Sequence, residues 1–598
     1  MSKLFLQYIS AILLIILVSF TASAQQDSTS LKQEVEVVKA YEPSVSDVFK
    51  INDIPKIQDE KRDKPVFEYQ INTQPVFSTF EIEPVQAAQM VGERKAELGK
   101  GLLKAGVGNY QTPYGELFFN TEAGKNSILG LHFKHLSSHG TVKLINDDKV
   151  DAPRSENVAE LFTKHFFRRS ALSTKLFFDR QAHRYYGYAG EELSNEEKEV
   201  LFPYWNEQQA FSKGGLQLNL NNDEDTRADL NYDLNLYFHH FGTKTDQTEN
   251  LIKVGTGFKK DYDTFKGLLD ASVGYLKTDG IVKEINGTVG DKQQILINLS
   301  PAILLQGDVA KLQAGIHTFT LLDDDDDARI LITPNIKAEW SPVENMMTLF
   351  AGADGRLQQN HYSAIAAENR FVTPTHDIRN TEYQYILTGG IKGKFTPRFN
   401  YRAQVDYASI KDEHFYRFNT INFLATEPPI PDPLLIPRSN TFDVLYDDLK
   451  QLTLGFEFYY TASDLVNFHV QGKHFSYELD SLDQAWHKPD FEWRISTILN
   501  PEGPVRFNAD IFFVSKRQAP VHNEFYYMDA NAAAPHDLQE TTYTLSSYVD
   551  FNFGVEYQYS PQLSFFGRAN NFAFQKYENW LGYAQQGFNV LIGASLSF

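Results

Sequence analysis

The sequence predicts an all-β fold: a transmembrane antiparallel β-barrel of about 22 strands, counted by the period-two rule, with a short N-terminal periplasmic or luminal arm. Three observations predict it. Apolar and polar residues alternate along segments from about Gly101 to Phe598. The connections between those segments are short and long by turns. An export leader stands at one end of the chain and a terminal aromatic residue at the other.

Composition narrows the field. The 598 residues hold 56 Lys+Arg against 77 Asp+Glu, a net charge of −21, and no Cys. An acidic chain whose charge is spread along its length is no nucleic-acid binder. A mean hydropathy of −0.38 excludes a multi-pass helical membrane protein, which needs repeated apolar runs of about 20 residues. Without cysteine there are no disulfide staples, thiol catalysis, Cys-ligated zinc or acylated N-terminal cysteine.

At the N-terminus, Met1-Ser2-Lys3 is a basic start, Ile9 to Phe20 an almost wholly apolar run, and Ala22-Ser23-Ala24 a small-residue cleavage pattern. Residues 1–24 are therefore expected to be a secretory signal peptide cut before Gln25. Residues 25–100 carry Pro43, Pro55, Pro65, Pro75 and Pro84, mixed charges and no sustained period, which reads as an extended arm. Gln86 to Lys100 has the composition for one or two helical turns.

From Gly101 onward the alternation sets the fold. Phe399, Tyr401, Ala403, Val405 and Tyr407 interleave with Asn400, Arg402, Gln404 and Asp406. Ala228 to Leu236 and Val549 to Tyr559 behave alike. Successive side chains of a strand point to opposite faces, so each segment has one greasy and one wet face. Many segments reach about 10 residues, the length of a tilted bilayer crossing. Their centres lie near Ala105, Phe118, Leu131, Leu161, Leu176, Gln217, Tyr232, Val254, Asp270, Leu299 and Gly315. They continue near Pro334, Phe350, Thr388, Gln404, Gly455, Val470, Arg494, Ala509, Phe553, Gly567 and Ile592.

Connections after even-numbered strands are short, as at Gly124-Lys125, Arg168 to Ser170, Asp261 to Asp263, Gln306 to Asp308, Thr396 to Arg398 and Ser560 to Gln562. Those after odd strands are mostly long and polar: Ser137–Arg154, Tyr188–Glu207, Gln359–Thr381, Asp412–Asn440 and Gln518–Thr541. Short periplasmic turns opposite long extracellular loops are the pattern of bacterial outer-membrane barrels. Trp340, Phe395, Tyr460 and Tyr559 stand just before short turns, where an aromatic girdle would lie. The last strand, from Phe588, ends on Phe598, an ending that resembles the C-terminal signal read by the barrel-insertion machinery. Lipid offers no partner for free backbone groups, so such a sheet must close. The Asp, Asn, Gln, Glu and Arg faces then line a hydrated lumen, too wide for side chains to fill.

On strand number, loop parity and Phe598, roughly 500 of the 598 residues by the strand reading, the sequence resembles the TonB-dependent receptor family of outer-membrane transporters. Glu34, Val35, Glu36, Val37 and Val38, followed by Lys39 and Ala40, resemble the box by which such receptors engage an energy transducer. The resemblance implies binding by strand addition to the partner's sheet. The chain departs from the family in its short pre-barrel segment of about 75 residues, again by the strand reading, which lacks evident plug motifs. Residues 25–100 are thus a reduced plug, an arm in the lumen or a periplasmic docking tether.

No G-x-S-x-G, H-E-x-x-H, P-loop or dinucleotide fingerprint occurs, so no catalytic residue and no cofactor is assigned and the chain is read as a non-enzyme. His239 and His240 fall near an extracellular rim, and His469 and His474 along one strand. His132 and His135 point to opposite faces. All are read as ordinary rim or lumen histidines. Asp323, Asp324, Asp325, Asp326 and Asp327 form the candidate metal site, since clustered carboxylates suit calcium. The loop from Phe415-Tyr416-Arg417 through Pro428–Pro437 is a candidate contact surface.

The expected function is outer-membrane transport or reception of a polar solute through a hydrated lumen, with TonB linkage. The alternative is a non-transporting outer-membrane scaffold acting through its loops and arm. Expected partners are outer-membrane lipid, the barrel-assembly machinery and a TonB-type energy transducer.

Overall fold

A computed structural model describes residues 100–122, 126–189, 208–222, 229–282, 289–324, 328–344, 346–373, 378–423, 440–463, 465–501, 503–526 and 536–598. The signal peptide, the 25–99 arm with its Glu34–Val38 box, Asp325 to Asp327 and Pro428–Pro437 lie outside the described residues.

The first strands are β1 (Gly101–Gly108), β2 (Thr112–Glu122), β3 (Ser127–Ser138), β4 (Thr141–Lys143), β5 (Lys149–Asp151), β6 (Arg154–Phe166) and β7 (Ala171–Arg184). Next come β8 (Gln208–Asn221), β9 (Leu230–Thr243), β10 (Thr248–Asp261), β11 (Lys266–Val282), β12 (Val289–Gln306), β13 (Ala310–Asp323), β14 (Arg329–Val343) and β15 (Met347–Gln358). A short helix, α1 (Tyr362–Glu368), precedes β16 (Thr381–Thr396), β17 (Phe399–Phe423), β18 (Phe442–Ser463), β19 (Val466–Leu479), β20 (Phe491–Leu499) and β21 (Val505–Val514). The remainder are β22 (Arg517–Tyr526), β23 (His536–Leu545), β24 (Tyr548–Gln558), β25 (Leu563–Asn570), β26 (Glu578–Trp580), β27 (Tyr583–Ala584) and β28 (Asn589–Ser597).

Without the three inserted hairpins, β4/β5, β22/β23 and β26/β27, these strands form a closed antiparallel ring of 22. All the strand centres read from the sequence fall inside ring strands. The ring closes where β1 pairs with β28, from Leu102↔Ser597 to Gly108↔Leu591. At that seam the Gly101 N–H donates to the Phe598 carbonyl at 2.7 Å, and the Phe598 N–H donates to the Gly101 carbonyl at 3.0 Å. The Phe598 ring lies over Gly101, where a Cβ would overlap it. Closure leaves no unpaired edge, which is what lipid demands of a sheet.

The two faces separate as the alternation requires. Val254 faces Val273 across β10 and β11, and both are exposed, as are Ile297, Leu299, Ile316, Ile336, Val405 and Tyr407. An exposed belt of this kind is a lipid contact, not a water contact. Trp340, Phe395, Tyr460 and Tyr559 are exposed too, as a girdle needs. The opposite face is a lattice of polar ladders. The Arg402 Nε donates to Gln404 Oε1 at 2.8 Å, and the Gln404 Nε2 donates to Asp406 Oδ2 at 2.8 Å. Asn219 Nδ2 donates to Asp233 Oδ1 at 2.6 Å and Asn235 Oδ1 at 2.7 Å. The periplasmic turns are tight: the Phe167 N–H reaches the Ser170 carbonyl at 2.8 Å, and the Gly307 N–H reaches that of Ala310 at 2.8 Å.

The long connections differ from the polar loops that the sequence suggests. Ser137–Arg154 contains the β4/β5 hairpin, Gln359–Thr381 contains α1, and Gln518–Thr541 lies largely in β22/β23. β17 runs on through 25 residues, and its end pairs in parallel with β22, from Phe418↔Val521 to Phe423↔Tyr526. The physical reason is non-local. These segments carry isolated aromatics that find partners only in loops far away in sequence, so no local period announces them. Phe415, expected in an exposed contact loop, is 0% exposed.

Candidate functional site

At the extracellular rim α1, β22/β23, β26/β27 and the ends of several ring strands share one apolar core, while the β4/β5 hairpin packs in a smaller cluster with Tyr188 and Ala584. The larger core joins Tyr185 after β7, Phe211 of β8, Phe241 of β9, Tyr362 and Ile365 of α1, Phe418 of β17, Phe442 of β18, Val521 of β22, Leu545 of β23 and Tyr583 of β27. Those contributors are spread around the ring, so a core common to them lies across the mouth as a cap. Its centre is aromatic. Tyr583 stacks on Phe371 with ring centroids 3.5 Å apart, and Tyr186 and Phe442 meet Tyr583 at 5.1 and 6.1 Å. Polar seams fasten the pieces. Asn440 Nδ2 donates to the carbonyls of Tyr185 and Gly187 at 2.9 and 3.0 Å, and the Tyr583 hydroxyl donates to the Asn440 carbonyl. Arg517 donates to the Asn579 carbonyl at 2.8 Å.

Burial shifts the titrating groups of the cap. Burial pushes the Glu578 carboxyl up to about 7. Burial, with Arg517 nearby, holds His487 down to about 3. Both therefore sit uncharged at mildly acidic pH.

Beneath and beside this core is a polar cavity of ≈ 260 Å³, lined among others by Arg154, His183, Tyr186, Arg370, Asp550 and Asn571. Burial first, and the neighbouring Arg154 charge second, lower the Arg370 guanidinium from its ordinary range. The recess is also lined by the carboxylates of Glu368 and Asp550 and by several amides, so its two cations are balanced and it suits a hydrogen-bonding, polar solute.

A second cluster joins the cap to the wall. α1 begins at His361, its N-cap residue, and buries Tyr362, Ile365 and Ala366 on one face, the i, i+3, i+4 pattern. That docking carries His361 and Ser363 to Glu249 on β10. The His239 Nε2 and the His361 Nδ1 lie 2.8 and 3.0 Å from Glu249 Oε1. The Ser363 hydroxyl donates to the same oxygen at 2.8 Å, and its N–H donates to Oε2 at 3.2 Å.

The other expected residues are dispersed. Asp323 receives Gln294 Nε2 at 2.6 Å and lies 3.8 Å from the Lys292 ammonium. His132 sits between Glu116 and Glu160 at 3.1 and 3.2 Å, while His135 bonds Asn157 at 2.7 Å. His469 bonds Glu457 at 2.8 Å, and His240 bonds Asn250 at 2.9 Å on the other face from His239. Reading the sequence misses the meeting of His239, Glu249 and His361. Hairpin register alone puts His239 diagonal to Glu249, since His239 faces Leu251, but nothing local points to His361.

No protein-family model matches the chain, and no curated protein matches it in sequence. Solved structures do match in fold. FpvA of P. aeruginosa bound to heterologous pyoverdines gives a TM-score of 0.59 at 11% identity, over 84% of this chain and 72% of that one. The FrpB iron transporter from Neisseria meningitidis gives 0.60 at 10%, over 85% and 82%. The ferric-catecholate import receptor Fiu from E. coli K12 gives 0.57 at 10%, over 83% and 82%. The chain thus resembles TonB-dependent outer-membrane receptors in fold.

Proposed function

We propose that this barrel is a gated transport or receptor protein that passes a polar solute from the extracellular face through its hydrated lumen. The observation that carries the reading is a ring with polar inner ladders at whose mouth loops from around the ring meet in an apolar core, which we read as a seal. A permanently open pore has no use for such a seal, and a filled barrel has no use for such a lumen. The cavity beside Arg154 and Arg370 is the entry station, suited to hydrogen-bonding parts of the solute. The fold shared with iron and siderophore receptors supports a transport role. Under this reading the signal peptide exports the chain, Phe598 guides its insertion, and Glu34 to Val38 offer a strand to a TonB-type transducer whose pull opens the path.

Planar-bilayer conductance tests it. The full chain is expected to be closed, and a cap-loosened variant lacking residues 25–100 to conduct. Silence in every form would support the scaffold reading instead, in which cap and arm serve protein contacts.

A further inference from the structure

We propose that His239, Glu249 and His361 bind one divalent transition-metal ion of the zinc class, and that the ion pins α1 and the cap to the barrel wall. The inference goes beyond solute passage and does not depend on it.

The three donor atoms belong to three separate elements, β9, β10 and the N-cap of α1, yet lie within 4.8 Å of one another. Two imidazole nitrogens converge on one carboxylate oxygen. What a central ion requires is nitrogen and oxygen donors of this kind gathered from separate elements at one buried spot, and these three are so gathered. The set is withdrawn from water: the His239 and Glu249 side chains are 0% exposed and His361 is 16% exposed. Ligand bonds of 2.0–2.2 Å at tetrahedral angles place donor atoms about 3.3 Å apart. Two of the observed separations are 2.8 and 3.0 Å and all three lie within 4.8 Å, so rotation of the two rings brings the donors around one ion.

The donor set selects the metal class. Two imidazoles and a carboxylate suit zinc and its first-row neighbours, whereas calcium and magnesium take all-oxygen shells. Ser363 Oγ, 2.8 Å from Glu249 Oε1 and 2.8 Å from His361 Nδ1, or a water molecule completes four-coordination. The Tyr237 hydroxyl, 3.0 Å from His239 Nδ1, is the outer partner that leaves Nε2 to face the ion. Binding displaces the protons between the rings and the carboxylate and makes no other covalent change. Because His361 caps α1 without a side-chain bond to the helix backbone, its ring is free to serve the metal.

The rival account is a self-contained hydrogen-bonded knot. Untagged full chain, stripped with chelator in detergent, is titrated with Zn²⁺ alone, with wall integrity followed by unheated gel mobility. The proposal expects one ion per chain, affinity at least tenfold weaker in His361→Gln and in His239→Asn, and no change in His240→Asn. Zn²⁺ should slow proteolysis within 359–381 severalfold in the parent chain and leave His361→Gln unaffected. Sub-stoichiometric binding, or binding that survives both His361→Gln and His239→Asn, overturns it. These readouts are independent of conductance, so either proposal can fail without the other.

Discussion

Replacing Tyr583 by alanine should loosen the mouth while leaving the wall closed. The side chain is 0% exposed, stacks on Phe371 at 3.5 Å, packs against Phe442 and donates to the Asn440 carbonyl. Truncating a buried aromatic costs about 3–5 kcal/mol through lost transfer energy and the cavity left behind. Losing the hydrogen bond to the Asn440 carbonyl adds about 1 kcal/mol. Among the described residues β27 pairs with β26 alone, so this cost falls on the cap and leaves the ring ladder untouched. At about 1.4 kcal/mol per decade, the closed-to-open ratio should fall by roughly three to four orders of magnitude. Limited proteolysis between 571 and 588 measures the opening, and unheated gel mobility reports the ring. Tyr583→Phe keeps the stack and should shift the ratio no more than about tenfold. Protease resistance equal to the parent chain, or loss of the folded mobility along with it, would falsify the separation of cap from wall.

Phe598→Ala uncovers Gly101 at the β1–β28 seam. It should slow folding into vesicles severalfold while costing only about 1 kcal/mol at equilibrium, measured by gel shift against time. Val254→Arg, midway along β10 and exposed on the belt, should cost about 2–4 kcal/mol in bilayers. Gln404→Lys, on the inner ladder, should leave stability near the parent value and alter ion selectivity instead, read in the conducting, cap-loosened form lacking residues 25–100. Glu578, pushed up to about 7 from 4.5, is neutral in the closed cap where a solvated carboxyl is already ionised. Its contribution is therefore intact below about pH 4.5 and lost as pH rises through 7. The closing free energy of the parent chain relative to Glu578→Gln should fall by about 2–3 kcal/mol between pH 5 and 8, read from paired proteolysis rates.

The barrel was legible because its determinants are local. Arg402, Gln404 and Asp406 announce an inner face two residues at a time, and a turn such as Arg168-Arg169 fixes which strand follows. The cap was not, because Tyr583, Phe371 and Phe418 have no period among themselves and meet only after the ring has brought their loops together. The same holds for the buried cluster. His239 and Glu249 are tied by one hairpin, but His361 arrives through the docking of α1, which depends on Tyr362 and Ile365 finding the shared core. The acidic run reads as a candidate metal site because its residues are adjacent in sequence; Asp323 is engaged by Gln294 and Lys292, and Asp325 to Asp327 lie outside the described residues.

Because the chain contains no cysteine, single cysteines can be read without background along β17. Substituting positions 400 to 407 one at a time and measuring the labelling rate with a small, water-soluble, membrane-impermeant thiol reagent in reconstituted vesicles probes both faces of the wall. Asn400→Cys, Arg402→Cys, Gln404→Cys and Asp406→Cys should react quickly, and Tyr401→Cys, Ala403→Cys, Val405→Cys and Tyr407→Cys slowly. A profile without that two-residue rhythm, or with its phase reversed, would contradict a water-lined lumen inside a lipid-facing ring.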